Sequence, residues 1–258
     1  VKDIKKTLAI GILMFILAGC SAKQIPSENQ GASGAREQTE TTKSEEKPLN
    51  TLQLSEPSPP KKVILDVPLI SQNPELKYGC EVTSLAMVLQ YAGIKVSKTE
   101  LASKIKKDND PLVVGKSGDI KHWGNPKDGF VGDMTGKKKG YAVYVQPLQE
   151  LMEHYLPGRT VNLTGKPFDD VLSQIKKGKP VVVWTTGDYK APNRVESWQH
   201  GDEQIKATLD LHAVVLVGFE PQFIYLNDPL AVKKDNKVNR QTFIQSWNAL
   251  GKQALSYR

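Results

Sequence analysis

The sequence predicts an α+β fold, a helical lobe packed on an antiparallel sheet, and three features carry that expectation. In the first half, apolar residues recur at helical spacing: Val82, Leu85, Ala86 and Leu89, then Leu148, Leu151, Met152 and Tyr155, then Phe168, Val171, Leu172 and Ile175. In the second half, Pro180–Thr186, Leu211–Phe219 and Phe223–Leu226 are near-continuous apolar runs, the pattern of strands covered on both faces. The last two runs are separated only by Glu220-Pro221-Gln222, a turn, so they read as a hairpin. Helices first and strands second define the class.

Taken in order, the chain opens on a targeting segment. Lys2, Lys5 and Lys6 precede the apolar run Leu8–Leu17, which is short for a membrane span. It ends in Leu17-Ala18-Gly19-Cys20, which resembles the lipobox of bacterial lipoproteins. That resemblance implies a signal peptide over 1–19, cleavage before Cys20, and lipid on the Cys20 sulfur. The expected location is the outer face of the cell membrane. Residues 20–60 are rich in Ser, Glu, Gln, Thr and Pro, and bury too little apolar surface to offset the entropy of ordering, so they read as a disordered tether. The signal carries a net +2 and the tether a net −2, so residues 61–258 hold the whole net charge of +7. In an exported protein that balance suits anionic lipid or wall polymer, and no nucleic acid partner is expected.

Residues 61–258 are enough for one domain with a sizeable core. Val63–Val67 reads as an opening strand closed by Pro68, and a first helix begins at Cys80 and stops at Gly93. Ser97-Lys98-Thr99-Glu100 is a capping box for a second helix. Lys107–Gly140 shows little periodicity and many glycines, and Trp123 and Phe130 within it argue for an ordered loop along a cleft. Helices near Leu148–Leu156 and Phe168–Lys177 follow, and Asn193–Lys206 reads as a polar loop. A strand near Lys237–Arg240, a helix near Phe243–Leu250 and an apolar tail close the chain.

The chain has two cysteines. With Cys20 assigned to lipid, Cys80 has no disulfide partner in an oxidising compartment, which points to a reactive thiol. A helix start presents unpaired N–H groups and the positive end of the dipole, which predicts a lowered thiol pKa. A thiol nucleophile needs a base, usually histidine held by a third group. Of His122, His154, His200 and His212, the last opens an apolar strand, and Asp228 closes its hairpin partner. A turn centred near Glu220 places His212 and Asp228 opposite one another, Cβ atoms about 4.5–5.5 Å apart. His200 is the substitute base. The Cys80 backbone N–H and the Gln72 amide are candidate oxyanion donors. No ligand spacing suggests a metal, and no cofactor is expected.

These residues carry a resemblance. Gln72…Cys80…His212…Asp228, with the words Gly79-Cys80-Glu81-Val82-Thr83-Ser84-Leu85, Trp123-Gly124-Asn125-Pro126 and His212-Ala213-Val214-Val215-Leu216-Val217-Gly218, resembles the papain-like cysteine peptidases. It is most similar to the branch that processes double-glycine leaders and to its stand-alone extracellular relatives. The resemblance implies a helical lobe on an antiparallel sheet, Cys80 as nucleophile, His212 as base, Asp228 orienting it, and Gln72 in the oxyanion hole. It implies a peptide or protein substrate, and a monomer is expected. Glu81 stands where leader peptidases usually have Gly, so cleavage after Gly-Gly is not carried over. Two other readings stay open: transfer of the acyl group to an amine or trimming of wall peptides by the same thiol, and a tethered binding domain without turnover.

Overall fold

The computed structural model describes residues 62–258; the signal segment, Cys20 and the tether lie outside the described residues. In chain order the elements are β1 (Val63–Ile64), α1 (Cys80–Tyr91), α2 (Lys98–Lys104), β2 (Lys107–Asp108), β3 (Val113–Val114), β4 (Ile120–His122), β5 (Phe130–Val131) and α3 (Val145–Tyr155). Then come β6 (Thr160–Asn162), α4 (Phe168–Lys176), β7 (Val181–Thr186), β8 (Glu196–His200), β9 (Glu203–Ala207) and β10 (Leu211–Phe219). The last are β11 (Phe223–Asp228), β12 (Lys233–Asn239), α5 (Arg240–Ala249) and β13 (Ala254–Tyr257).

The main sheet is antiparallel, in the order β12-β11-β10-β7-β13-β6, with β1 paired to the far end of β10. Alternate residues of its central strands feed two cores. Val182, Trp184, Ala213 and Val215 pack with α1 and α3, while Val181, Val183, Val214 and Leu216 pack with α4 and α5. Helices therefore cover both faces, with α1, α2 and α3 forming the lobe on one and α4 and α5 lying on the other. That is why β7 is apolar through Val181–Trp184 and β10 through Ala213–Val217.

α1 starts at Cys80 and runs into Ala92, with Gly93 at φ +87° ending it as a left-handed residue would. Ser97 caps α2 by accepting the Glu100 N–H at 3.1 Å, a contact worth about 1 kcal/mol. The return half of the capping box is absent: the Glu100 carboxylate binds Lys104 and the Tyr155 hydroxyl instead.

Two segments differ from the sequence expectation. The glycine-rich stretch is not irregular: it contributes β2 and β5 as a parallel pair, and β3 and β4 to a second sheet ordered β3-β4-β8-β9. The polar loop is the hairpin β8–β9, with Trp198, Ile205 and Ala207 buried against Trp123 and Tyr141 and with Ser197, Gln199, Gln204 and Lys206 exposed. A sheet wet on one face has a polar average, which hides it from a reading by hydrophobic runs. The apolar tail is a strand too; β13 sits between β7 and β6 in the main sheet.

The β10–β11 hairpin carries a β-bulge. Phe219 faces Ile224 and Gly218 faces Tyr225, but beyond Val217 the register steps, so Leu216 faces Leu226 and Val215 faces Asn227. Extended one residue, the register sets Asp228 across from Val214, two residues from His212. The pair is diagonal rather than directly opposed as the turn count predicts. An offset of two keeps both residues on one face.

Candidate active site

α1 and the start of β10 bring Cys80 and His212 to one place. The Ser84 hydroxyl donates to the Ala213 carbonyl at 3.1 Å, fixing the first turns of the helix beside the residue that follows His212. Gln72, Cys80 and His212 line one cavity of about 590 Å³, with Tyr78, Gly140, Tyr141, Leu209 and Leu230 among its walls. Lys139–Tyr141 places the end of the glycine-rich stretch along this cleft, as its sequence suggests. A larger cavity of about 870 Å³, bordered by Lys106, Lys127, Lys206 and Tyr144, contains none of the four candidate residues.

His212 is buried, and its Nε2 lies 3.0 Å from Asp228 Oδ1. With Nε2 as donor, Nδ1 is left as the lone-pair side of the ring. Asp228 is fixed by more than the imidazole. Its Oδ1 accepts the N–H groups of Leu230 (2.8 Å) and Ala231 (2.9 Å), and its Oδ2 accepts the Tyr189 hydroxyl. Burial alone would raise the Asp228 pKa; the bonds from His212, Tyr189 and Ala231 outweigh it and hold the carboxylate well below its ordinary range. Asp228-Pro229 is thus both a turn starter and an orienting group. Pro229 also accepts the Gln72 backbone N–H at 2.9 Å, tying the glutamine to the same corner.

Gln72 is almost fully buried. Its Nε2 donates to the Lys77 carbonyl at 2.8 Å, and its Oε1 is buried without a hydrogen-bond partner among the described residues. The loop that carries it is clipped by Lys98, whose ammonium donates to the carbonyls of Ser71 (2.6 Å) and Gln72 (3.0 Å) and pairs with Glu75.

At Cys80 the structure reverses the direction argued from the helix dipole. Burial pushes the thiol well above its ordinary range, and the Glu81 carboxylate pushes it the same way, against backbone hydrogen bonds from Ala213 and Glu81. The Cys80 Sγ donates to Glu81 Oε2 at 3.4 Å. Glu81 itself has no solvent exposure, and its Oε1 accepts the Val143 N–H at 3.1 Å. Burial lifts its pKa to about 7, opposed by backbone hydrogen bonds, the Cys80 contact and nearby His212. The resting sulfur is therefore a thiol beside a carboxyl that titrates near neutrality.

Sequence reasoning treats Glu81 only as a departure from a pattern, and it misses Tyr189, whose partner lies across the sheet. Glu81 does carry a signal: it sits in a turn whose other residues are apolar or small. The remaining histidines lie elsewhere. His200 and His122 stand among aspartates on β8 and β4, away from the cleft, and His154 packs edge-on to Tyr155 on α3. His200 does not serve as a substitute base.

A cysteine at the start of a buried helix, sharing a cleft with a histidine and an aspartate from paired strands of an antiparallel sheet, is the arrangement of the papain-like cysteine peptidases. The chain belongs to the Peptidase_C39 like family, whose model matches residues 64–255. It is 39% identical over 193 residues to the uncharacterized protein YvpB of Bacillus subtilis (strain 168), covering 74% of each chain. A crystal structure from Bacillus anthracis, described as a C39-like peptidase, superposes with a TM-score of 0.70 at 44% identity, over 77% of this chain and 98% of that one. The domain is thus cysteine peptidase-like in family and in fold.

Proposed function

We propose that this protein is an exported cysteine peptidase, held on the outer membrane face by lipid on Cys20 and cutting peptide or protein substrates through an acyl-enzyme. The observation that carries the reading is the buried His212–Asp228 pair opening into the cleft that Cys80 and Gln72 share.

The resting thiol makes proton transfer part of the attack. His212 Nδ1 takes the Cys80 proton as the sulfur adds to the scissile carbonyl, and Asp228 stabilises the imidazolium. The new oxyanion sits toward the Cys80 backbone N–H, which has no backbone acceptor among the described residues, and the Gln72 amide. Collapse breaks the C–N bond, with His212 returning its proton to the leaving amine. A water deprotonated by His212 then cleaves the thioester, releasing the acid and restoring the thiol.

The test uses the full chain. Iodoacetamide alkylation of Cys80 is followed by mass spectrometry from pH 5 to 9, beside hydrolysis of a mixed fluorogenic peptide pool. The wild type should cut the pool and label; Cys80→Ala should do neither, and His212→Ala should label more slowly near neutrality. An uncut pool with alkylation indifferent to His212 would leave a tethered binding domain. Product carrying an added amine would assign transfer instead of hydrolysis.

A further inference from the structure

Away from the cleft, the strands β2, β4 and β8 and the loops after β2 and β4 bring Asp108, Asp110, Asp128, His122 and His200 together. One donor atom from each of Asp108, Asp110 and His200 lies within 4.8 Å of the others. His200 Nδ1 is 3.3 Å from the Trp123 carbonyl and 3.2 Å from Asp110 Oδ2, while Nε2 is 3.6 Å from both Asp108 Oδ2 and Asp128 Oδ2. A separation of 3.6 Å is beyond a good hydrogen bond.

Charge balance points the same way. Among the described residues no Lys or Arg pairs with Asp108, Asp110 or Asp128, although the chain has 35 of them. The imidazoles are the only side chains that pair with these three carboxylates as cations among the described residues, and the Asp108 side chain is 8% exposed. Asp108 is also held in place: its Oδ1 accepts the Asp110 N–H and its Oδ2 the Asn125 N–H, and a Cβ on Gly124 would meet Oδ1 at 2.8 Å. His122 Nε2 is 3.1 Å from Asp110 Oδ2, the histidine–carboxylate contact that orients ligands around metals.

We propose that Asp108, Asp110 and His200, the last through one ring nitrogen, form a site for one divalent transition-metal ion of the zinc type, with Asp128 at its exposed edge and His122 positioning Asp110. Mixed imidazole and carboxylate donors suit Zn²⁺ over Ca²⁺ or Mg²⁺. The ion would fasten β2 and the following loops to β8. Trp123, whose carbonyl meets His200, packs 6.2 Å from the Tyr141 ring that walls the catalytic cleft, so the clamp braces that wall.

The test is equilibrium dialysis of the chain against buffered Zn²⁺, with Cys20→Ser and Cys80→Ser so that neither thiol competes, and zinc counted by mass spectrometry. One zinc per chain at micromolar free metal is expected, together with a rise in melting temperature by circular dichroism. Asp110→Asn and His200→Gln should each weaken uptake by about tenfold or more, and His154→Gln, on the surface of α3, should not. Under a tenth of an equivalent at 10 μM free zinc overturns the proposal without any variant. So does uptake that survives both ligand changes, or that falls equally in His154→Gln. Asp110 is half-exposed, so its variant keeps the comparison if the His200 variant fails to fold.

Discussion

Glu81→Gln isolates the buried carboxyl beside Cys80. Its pKa rises from 4.5 to about 7 on folding, so between those values the native state holds a proton that the unfolded chain has lost. The stability this protonated form contributes is full below about pH 4.5 and drains away as pH rises through 7. Linkage puts the loss between pH 5 and pH 8 at about 2.5 kcal/mol, within a ceiling of about 3.4 kcal/mol for the whole shift. Gln keeps an oxygen for the Val143 N–H and cannot ionise. Urea unfolding at pH 5, 6, 7 and 8 should therefore show the wild type losing that amount relative to Glu81→Gln, other titrations cancelling in the difference. The variant thiol, relieved of a carboxylate neighbour, should also be alkylated at lower pH. Parallel stability curves for the two proteins would refute the reasoning, because Glu81 would then be ionised in the native state at neutral pH.

Asp228→Asn should lower kcat by about 10²–10⁴-fold by losing the partner of the imidazolium. Because the wild-type carboxylate is held low, its stabilisation is present above about pH 4 and fades as pH falls further; the variant should lack that acid limb in a urea series. Gln72→Ala should reduce kcat by about 10²–10³-fold with KM little changed, since the lost donor acts on the oxyanion; an unchanged kcat removes Gln72 from the oxyanion hole. Trp247→Ala, emptying a buried site whose indole N–H meets the Gln253 carbonyl at 2.9 Å, should cost about 3–5 kcal/mol in urea unfolding.

Much of the fold was legible because burial on both faces leaves a one-dimensional mark. β10 follows the run Leu211–Phe219 residue for residue, and α1 begins at the cysteine where its apolar period begins. β8 and β9 were not legible: one dry face alternating with a charged one averages to a loop. The juxtaposition of His212 and Asp228 follows from hairpin counting, yet the diagonal arrangement does not, because a bulge leaves no sign in a run of valines. The neutral thiol also escaped. Its pKa is set by the depth of packing above Cys80 and by the rotamer of Glu81, which are three-dimensional quantities. The aspartate–histidine cluster is the extreme case, with donors spread from residue 108 to residue 200 and no spacing to read.

The bulge at Val217 also governs which changes of length the hairpin can absorb. Both faces of β10 are apolar, so sliding the strand by one residue exchanges valine for leucine and costs little in burial. Hydrophobicity therefore does not guard the register. Gly218 helps to: β1 lies so close that a Cβ there would meet the Val63 carbonyl oxygen at 2.4 Å, so only a glycine can occupy that step. A residue lost at the bulge would leave a well-packed sheet with its histidine turned from its aspartate. Insertions are harmless only at the Pro221–Gln222 tip, outside the paired rungs. In a lineage of such chains, the hairpin should lengthen at its tip and stay rigid in count below it.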